Sequence, residues 1–201
     1  EKLILMKLKY NRLITVGRSL YNYNNVNKSI ILVWNGVNMS EFEAIKTVLS
    51  TDVYKILFVW RLDEFKGVDV LIGAVELLKN EFSGLLDEKK VEFHLIWYGY
   101  EEEKYRKMVN DSELQKYVKF RWKITWENLI KEYKTSNLFV LPSRSEWFWV
   151  VILEAMVSRV PVISTRCGWP EDIIENGING FLVKKENPEQ LAKKIVDCIQ
   201  L

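Results

Sequence analysis

Tyr54-Lys55-Ile56-Leu57-Phe58-Val59-Trp60-Arg61-Leu62-Asp63-Glu64-Phe65-Lys66-Gly67-Val68-Asp69-Val70-Leu71-Ile72 changes its hydrophobic period partway along. Tyr54–Val59 is a short, nearly unbroken apolar run, which suits a strand covered on both faces of a parallel sheet. From Val68 the apolar residues recur at helical spacing, through Leu71, Ile72, Val75 and Leu78. A polar turn containing Gly67 separates the two patterns. The same alternation continues outward. Candidate strands are Leu13–Val16, Ile30–Val33, Val91–Ile96, Val118–Arg121, Leu138–Leu141, Val160–Ser164 and Phe181–Val183. Candidate helices include Leu129, Ile130 and Tyr133, and Leu191, Ile195 and Ile199. From Tyr54 onward this predicts a Rossmann-like, doubly wound parallel α/β sheet of about six strands. Sites in such folds lie at the carboxyl ends of the strands, so the segments just after each strand are the ones to search.

Residues 54–201 thus form the expected domain. Residues 1–29 read as the tail of a preceding domain, with an Asn-rich stretch at Asn22, Asn24, Asn25 and Asn27. Residues 30–53, with the turn signal Asn35-Gly36, read as the crossing between them. At 201 residues the length fits one domain, or one domain plus a piece of another. Lys plus Arg is 29 and Asp plus Glu is 27, so net charge offers no argument for nucleic acid as a partner. Two cysteines and one histidine argue against a disulfide framework and a zinc site. The apolar run Trp147–Leu153 is far short of a membrane span, and Glu1–Tyr10 lacks a signal-peptide core.

Three strand-end segments carry chemistry. After Tyr54–Val59, Arg61 and Lys66 read either as a clamp for a diphosphate or as two solvated cations. After Leu138–Leu141, Glu146 and Glu154 are eight steps apart, ~80° around an ideal helix. That places Glu146 in the loop and Glu154 inside the helix. Glu154 interrupts an apolar stretch, and a buried carboxylate needs partners, either sugar hydroxyls or a structural cation. After Val160–Ser164, Gly168 turns the chain and Pro170, Glu171 and Asp172 read as the first turn of a helix. His94, inside a strand, reads as structural. Cys167 has no metal-binding neighbour in sequence. No clustered acids suggest a metal, and no Walker loop or intact G-x-G-x-x-G is present.

Taken together and in order, these segments resemble the C-terminal, donor-binding half of the GT-B fold in retaining family-4 glycosyltransferases. The resemblance rests on Asn35-Gly36-Val37-Asn38, Arg61-Leu62-Asp63 with Lys66-Gly67, Tyr98-Gly99, and Leu141-Pro142-Ser143. It rests also on Glu146 and Glu154 as E-x7-E, Glu154-Ala155-Met156, Pro161-Val162-Ile163, and Asn179-Gly180-Phe181-Leu182-Val183. It implies that Arg61 and Lys66 hold the donor diphosphate and stabilise the leaving charge. Glu146 would bind hydroxyls of the transferred sugar and Glu154 the ribose. Ser143 and the helix-start N–H groups of Val150, Val151 and Ile152 would serve the nucleotide side. The implied activity is hexosyl transfer, with retention, from a UDP- or GDP-sugar to a glycan or lipid-linked acceptor. No metal or other cofactor is implied. The implied location is the cytoplasm or the inner face of the membrane, and the missing partner is an N-terminal, acceptor-side domain. The chain then reads as a fragment that does not transfer sugar alone. Two other readings are a decayed, non-catalytic GT-B binding module and a GT-B epimerase or phosphorylase.

One departure from the family pattern is systematic. Trp60, Trp97, Trp122, Trp147, Trp149 and Trp169 stand where the family usually has Gly. Restoring them would bring Gly from 9 to 15 of 201 residues, ~7.5% against the ~7% of ordinary proteins. The coherence suggests a stop-type codon that one genetic code reads as Gly and another as Trp. The rival account is a rebuilt, inactive site in which indoles crowd the donor pocket.

Overall fold

A computed structural model of the chain describes residues 13–15, 30–32, 36–47, 52–61, 64–98, 101–122, 124–146 and 150–201. The chain divides into two units between Gly36 and Val37, inside the 30–53 stretch expected as a crossing. Of the first unit, β1 (Leu13–Thr15) and β2 (Ile30–Leu32) pair in parallel, with Leu13 opposite Ile30.

The second unit opens with α1 (Met39–Ala44). It continues through β3 (Tyr54–Arg61), α2 (Val68–Glu88), β4 (Val91–Tyr98), α3 (Glu102–Asp111) and β5 (Val118–Trp122). Then come α4 (Trp126–Lys134), β6 (Leu138–Leu141), α5 (Val150–Val157), β7 (Val162–Thr165), β8 (Phe181–Val183) and α6 (Pro188–Ile199). The six strands lie in the order β5-β4-β3-β6-β7-β8, every pair parallel. Counted from β3, that is the Rossmann order 3-2-1-4-5-6. The order reverses between β3 and β6. Loops leaving these two neighbours turn to opposite faces and open a crevice there.

The apolar runs form strands because both faces are covered. Leu57, Phe93, Leu138, Phe139, Val140, Leu141, Val162 and Ile163 are fully buried. On α2 the residues at helical spacing, Val68, Leu71, Ile72, Val75 and Leu78, are buried as expected. Each such side chain contributes ~1.5–3 kcal/mol by leaving water. Helix α1 belongs to this core: Phe42 is buried and meets the Trp126 ring edge-on, with centroids 5.8 Å apart.

Three strands run further than the apolar pattern alone predicts. β3, β4 and β5 extend because Trp60 pairs in register with Trp97, and Trp97 with Trp122. β7 starts at Val162 rather than Val160, since Pro161 has no N–H to give a ladder. The Pro161 carbonyl still accepts from the Phe139 N–H at 2.9 Å. The helix expected from Pro170 is a single 3-10 turn, Pro170–Asp172. Asn side chains take over the backbone groups beyond it. Asn179 accepts from the Glu175 N–H at 2.8 Å and donates to the Ile173 carbonyl at 3.0 Å, while Asn176 accepts from the Leu182 N–H. Such local bonds compete with helix continuation.

Candidate functional site

Strand β3 ends at Arg61, and the chain re-enters the described residues at Glu64 in a 3-10 turn, Glu64–Lys66. Gly67 follows with φ +64°, in the left-handed region. A Cβ there would lie 2.1 Å from the Pro142 carbonyl oxygen. Only glycine permits both the backbone conformation and the approach. The loop after β3 therefore packs directly against the loop after β6, at the point where the strand order reverses.

That contact brings Lys66 to Glu146. The Lys66 ammonium donates to Glu146 Oε2 at 2.9 Å, and both side chains are buried, Glu146 at 1% exposure. Ser143 donates its hydroxyl to the other Glu146 oxygen, and the Thr165 hydroxyl donates to the Ser143 carbonyl. Lys66 and Ser143 thus approach different oxygens of the Glu146 carboxylate. Glu146 lies in the loop and Glu154 in α5, as their spacing predicts.

Glu154 is buried on α5. Its partner within the chain is not the structural cation of the alternative reading. Tyr133 Oη on α4 donates to Glu154 Oε2 at 2.8 Å. Burial pushes the Glu154 carboxyl above its ordinary value, and the Tyr133 bond opposes the rise. The Tyr133 phenol is driven well up by burial and by the adjacent carboxylate. Val150, Val151 and Ile152 are the first described residues of α5. For Arg61 the backbone alone is described, at the end of β3, and Trp147 and Trp149 lie outside the described residues.

The sequence reading missed Tyr133 and Arg144. Arg144 sits between two residues already singled out, but its partners are 75 and 42 positions away. Its guanidinium grips Asp69 with two parallel bonds of 2.8 and 2.7 Å. Burial alone would raise the Asp69 carboxyl; the Arg144 fork together with the Asp69 and Val70 backbone N–H groups outweighs that and holds it below its usual value.

Other features stay structural. His94 is buried, with Nε2 2.8 Å from Glu92 Oε2. Burial pushes the Cys167 thiol up to about 11, which leaves it protonated at neutral pH. Among the described residues no group of three or more His, Cys, Asp or Glu is placed to hold a metal ion. No helix among them is long and apolar enough to cross a membrane. A cavity of about 490 Å³ lies against the edge strand β5, lined by Glu92, Arg106, Phe120 and Arg121. It is not at the crevice between β3 and β6.

The described Trp positions bear on the Gly pattern. Non-glycine residues with positive φ among the described residues are Lys90, Glu113, Arg159 and Glu186. None is a Trp, and Trp169 has φ −78°. At Trp60, Trp97, Trp122 and Trp169 the backbone does not itself demand glycine.

Several known proteins share this architecture. The glycosyltransferase of Rickettsia africae superposes with a TM-score of 0.83 at 23% identity, over 99% of this chain and 56% of its own. Anabaena HepE, solved with UDP and glucose, gives 0.83 at 20% identity, over 99% of this chain and 57% of its own. An uncharacterized glycosyltransferase of Methanocaldococcus jannaschii is 30% identical over 193 residues, 94% of this chain and 50% of its own length. The poly(ribitol-phosphate) alpha-N-acetylglucosaminyltransferase of Staphylococcus aureus is 28% identical over 141 residues, 69% of this chain and 27% of its own. The chain spans about half the length of the first two curated relatives it matches, 50% and 49%. The family profile for glycosyl transferases group 1 matches residues 39–200, from α1 to the end of α6. With its six parallel strands reversing order beside the Lys66–Glu146 pair, this chain belongs to the group 1 glycosyl transferases, in the GT-B architecture.

Proposed function

We propose that this chain is the nucleotide-sugar-binding half of a retaining hexosyltransferase that uses a nucleoside-diphosphate sugar. The observation that carries this reading is the buried Lys66–Glu146 pair at the reversal of strand order. A cation and a carboxylate held side by side suit a donor whose diphosphate is anionic and whose sugar offers hydroxyls. Lys66 and Arg61 neutralise the charge that develops on the departing diphosphate, a stabilisation that grows toward the transition state. Glu146 orients the sugar. Glu154 takes the ribose hydroxyls, and the N–H groups of Val150, Val151 and Ile152, with Ser143, serve the phosphates. Cations and a helix start together supply what a metal would supply, so donor binding is expected to survive chelation. UDP is the favoured nucleotide, because HepE was solved with UDP and with UDP-glucose. GDP is the competing one. The acceptor is a glycan or a lipid-linked glycan, held mostly by an N-terminal, acceptor-side domain. The site faces the cytoplasm, in solution or at the membrane's inner face.

The test is calorimetric titration of this chain with UDP and with GDP, with and without EDTA. Saturable binding that survives EDTA and is lost in Lys66→Ala is the expected result. Binding that Lys66→Ala leaves intact would remove the site assignment. The chain alone is expected to show no sugar transfer. Turnover with any nucleotide sugar and acceptor would show that the second domain is dispensable.

A further inference from the structure

Arg144 does more than pair with Asp69. Its Nη1 also donates to the Glu64 carbonyl at 2.6 Å, and its Nε to Glu186 at 3.1 Å. Its backbone N–H donates to the Phe65 carbonyl at 2.8 Å. Glu64 and Phe65 precede Lys66 in the loop after β3, and Asp69 lies just beyond it in the first turn of α2. Arg144 itself lies two positions from Glu146 in the loop after β6. Glu186, with φ +52°, lies in the turn after β8. One guanidinium therefore ties together the loops leaving three strands, all at the carboxyl end of the sheet. A planar fork with five donors in fixed geometry suits this task, and a lysine point charge does not.

We infer that Arg144 is a positioning residue whose fork to Asp69 and bond to the Glu64 carbonyl set Lys66 against Glu146. It does not touch the donor; it acts through the two residues that do, so its effect on binding rests on the function proposed above. Lys66 has side-chain exposure of 8% and is shielded only while the two loops stay together. Without the fork, the loop pair opens locally and the ammonium reaches solvent, while the rest of the sheet keeps its packing.

The experiment compares wild type, Arg144→Gln, Arg144→Lys and Asp69→Asn. Lys116→Gln serves as control, since Lys116 pairs with Asp87, outside the strand-end loops. Brief acetylation with sulfo-NHS-acetate is followed by mass spectrometry of Lys66 relative to Lys55. Lys55 is also shielded but is tied to Glu132 on the strand side of α4. In Arg144→Gln and Asp69→Asn the Lys66-to-Lys55 ratio should rise about tenfold, as local opening requires. Arg144→Lys should fall between, and Lys116→Gln should match wild type. An unchanged ratio, or an equal rise at Lys55, overturns the inference. If Arg144→Gln does not fold, Asp69→Asn and Arg144→Lys decide by the same ratio. UDP titration supplies the second readout, with Kd weakened about tenfold in Arg144→Gln and partly restored in Arg144→Lys. A wild type that binds no UDP would remove the functional reading, and the acetylation ratio would still decide the role of Arg144.

Discussion

Lys66 and Glu146, 80 residues apart in sequence, meet as a buried ion pair with Nζ 2.9 Å from Oε2. Removing one member leaves the other buried without its counter-charge. Breaking such a pair costs about 3–5 kcal/mol, whereas replacing both members by apolar groups costs far less. Lys66→Met should therefore destabilise the fold by about that amount. Adding Glu146→Leu should recover much of the loss. Urea unfolding of the two variants checks this; a double variant no more stable than Lys66→Met would show that the pair is not shielded as described.

Gly67→Ala meets two obstacles at once. Its φ of +64° costs an L-residue about 1–3 kcal/mol, and its Cβ would sit 2.1 Å from the Pro142 oxygen. The two loops must part to admit it. A melting temperature lowered by about 2–4 °C per kcal/mol is expected for a chain of this size, together with weaker UDP binding. Gly84, on α2, has open space at its Cβ position, so Gly84→Ala should raise stability by about 0.5–1 kcal/mol and leave UDP binding near wild type.

Acid stability should depend on Glu132. Burial pushes its carboxyl up, but His94 and Lys55 outweigh that and hold it at about 2, against 4.5 ordinarily. The folded value lies below the unfolded one, so the stabilisation is present above about pH 4.5 and is lost as pH falls toward 2. At one pH unit per ~1.4 kcal/mol, the contribution near neutrality is of the order of 3 kcal/mol. The gap in unfolding free energy between wild type and Glu132→Gln should shrink steadily from pH 5 to pH 2. A constant gap across that range would remove the assignment.

Tyr133→Phe deletes one hydroxyl and leaves a buried acceptor on Glu154 without its donor. The loss should be about 1–3 kcal/mol in chemical denaturation. Because the Tyr133 bond is what lowers the Glu154 carboxyl against burial, that carboxyl should titrate at still higher pH in the variant. Carbon-detected NMR of the labelled side chain would read the direction; a downward move would contradict it.

The tryptophans separate two accounts of this chain. If Trp60, Trp147 and Trp149 occupy glycine positions, changing all three to Gly should yield a better-folded chain with a tenfold lower Kd for UDP, ~1.4 kcal/mol. Lys66→Ala in that background should then abolish binding. If the indoles are settled packing, their loss costs ~3–5 kcal/mol each and binding gains nothing. A melting curve beside the UDP titration distinguishes the outcomes.

Much of the architecture was legible along the chain because strand and helix periods are local properties. The Tyr54–Val59 run, the spacing from Val68 to Leu78 and that of Leu191, Ile195 and Ile199 need no distant partner to act. The placement of Glu146 in a loop and Glu154 in a helix followed from their spacing alone. Lys66 and Glu146 could each be singled out as chemistry-bearing because both follow strand ends. Their meeting could not be read, since pairing across 80 residues depends on which strands become neighbours. The same holds for Arg144 and Asp69, and for Tyr133 and Glu154, whose partners come from other elements. The short turn at Pro170 was misread because its helix-start signals are local, while the Asn179 and Asn176 bonds that end it depend on how the chain folds back at β8. Sequence by itself determined the elements and the residue types of the site. Tertiary structure decided which of those residues touch, because burial removes water as the alternative partner and leaves each charge only the neighbours the fold supplies.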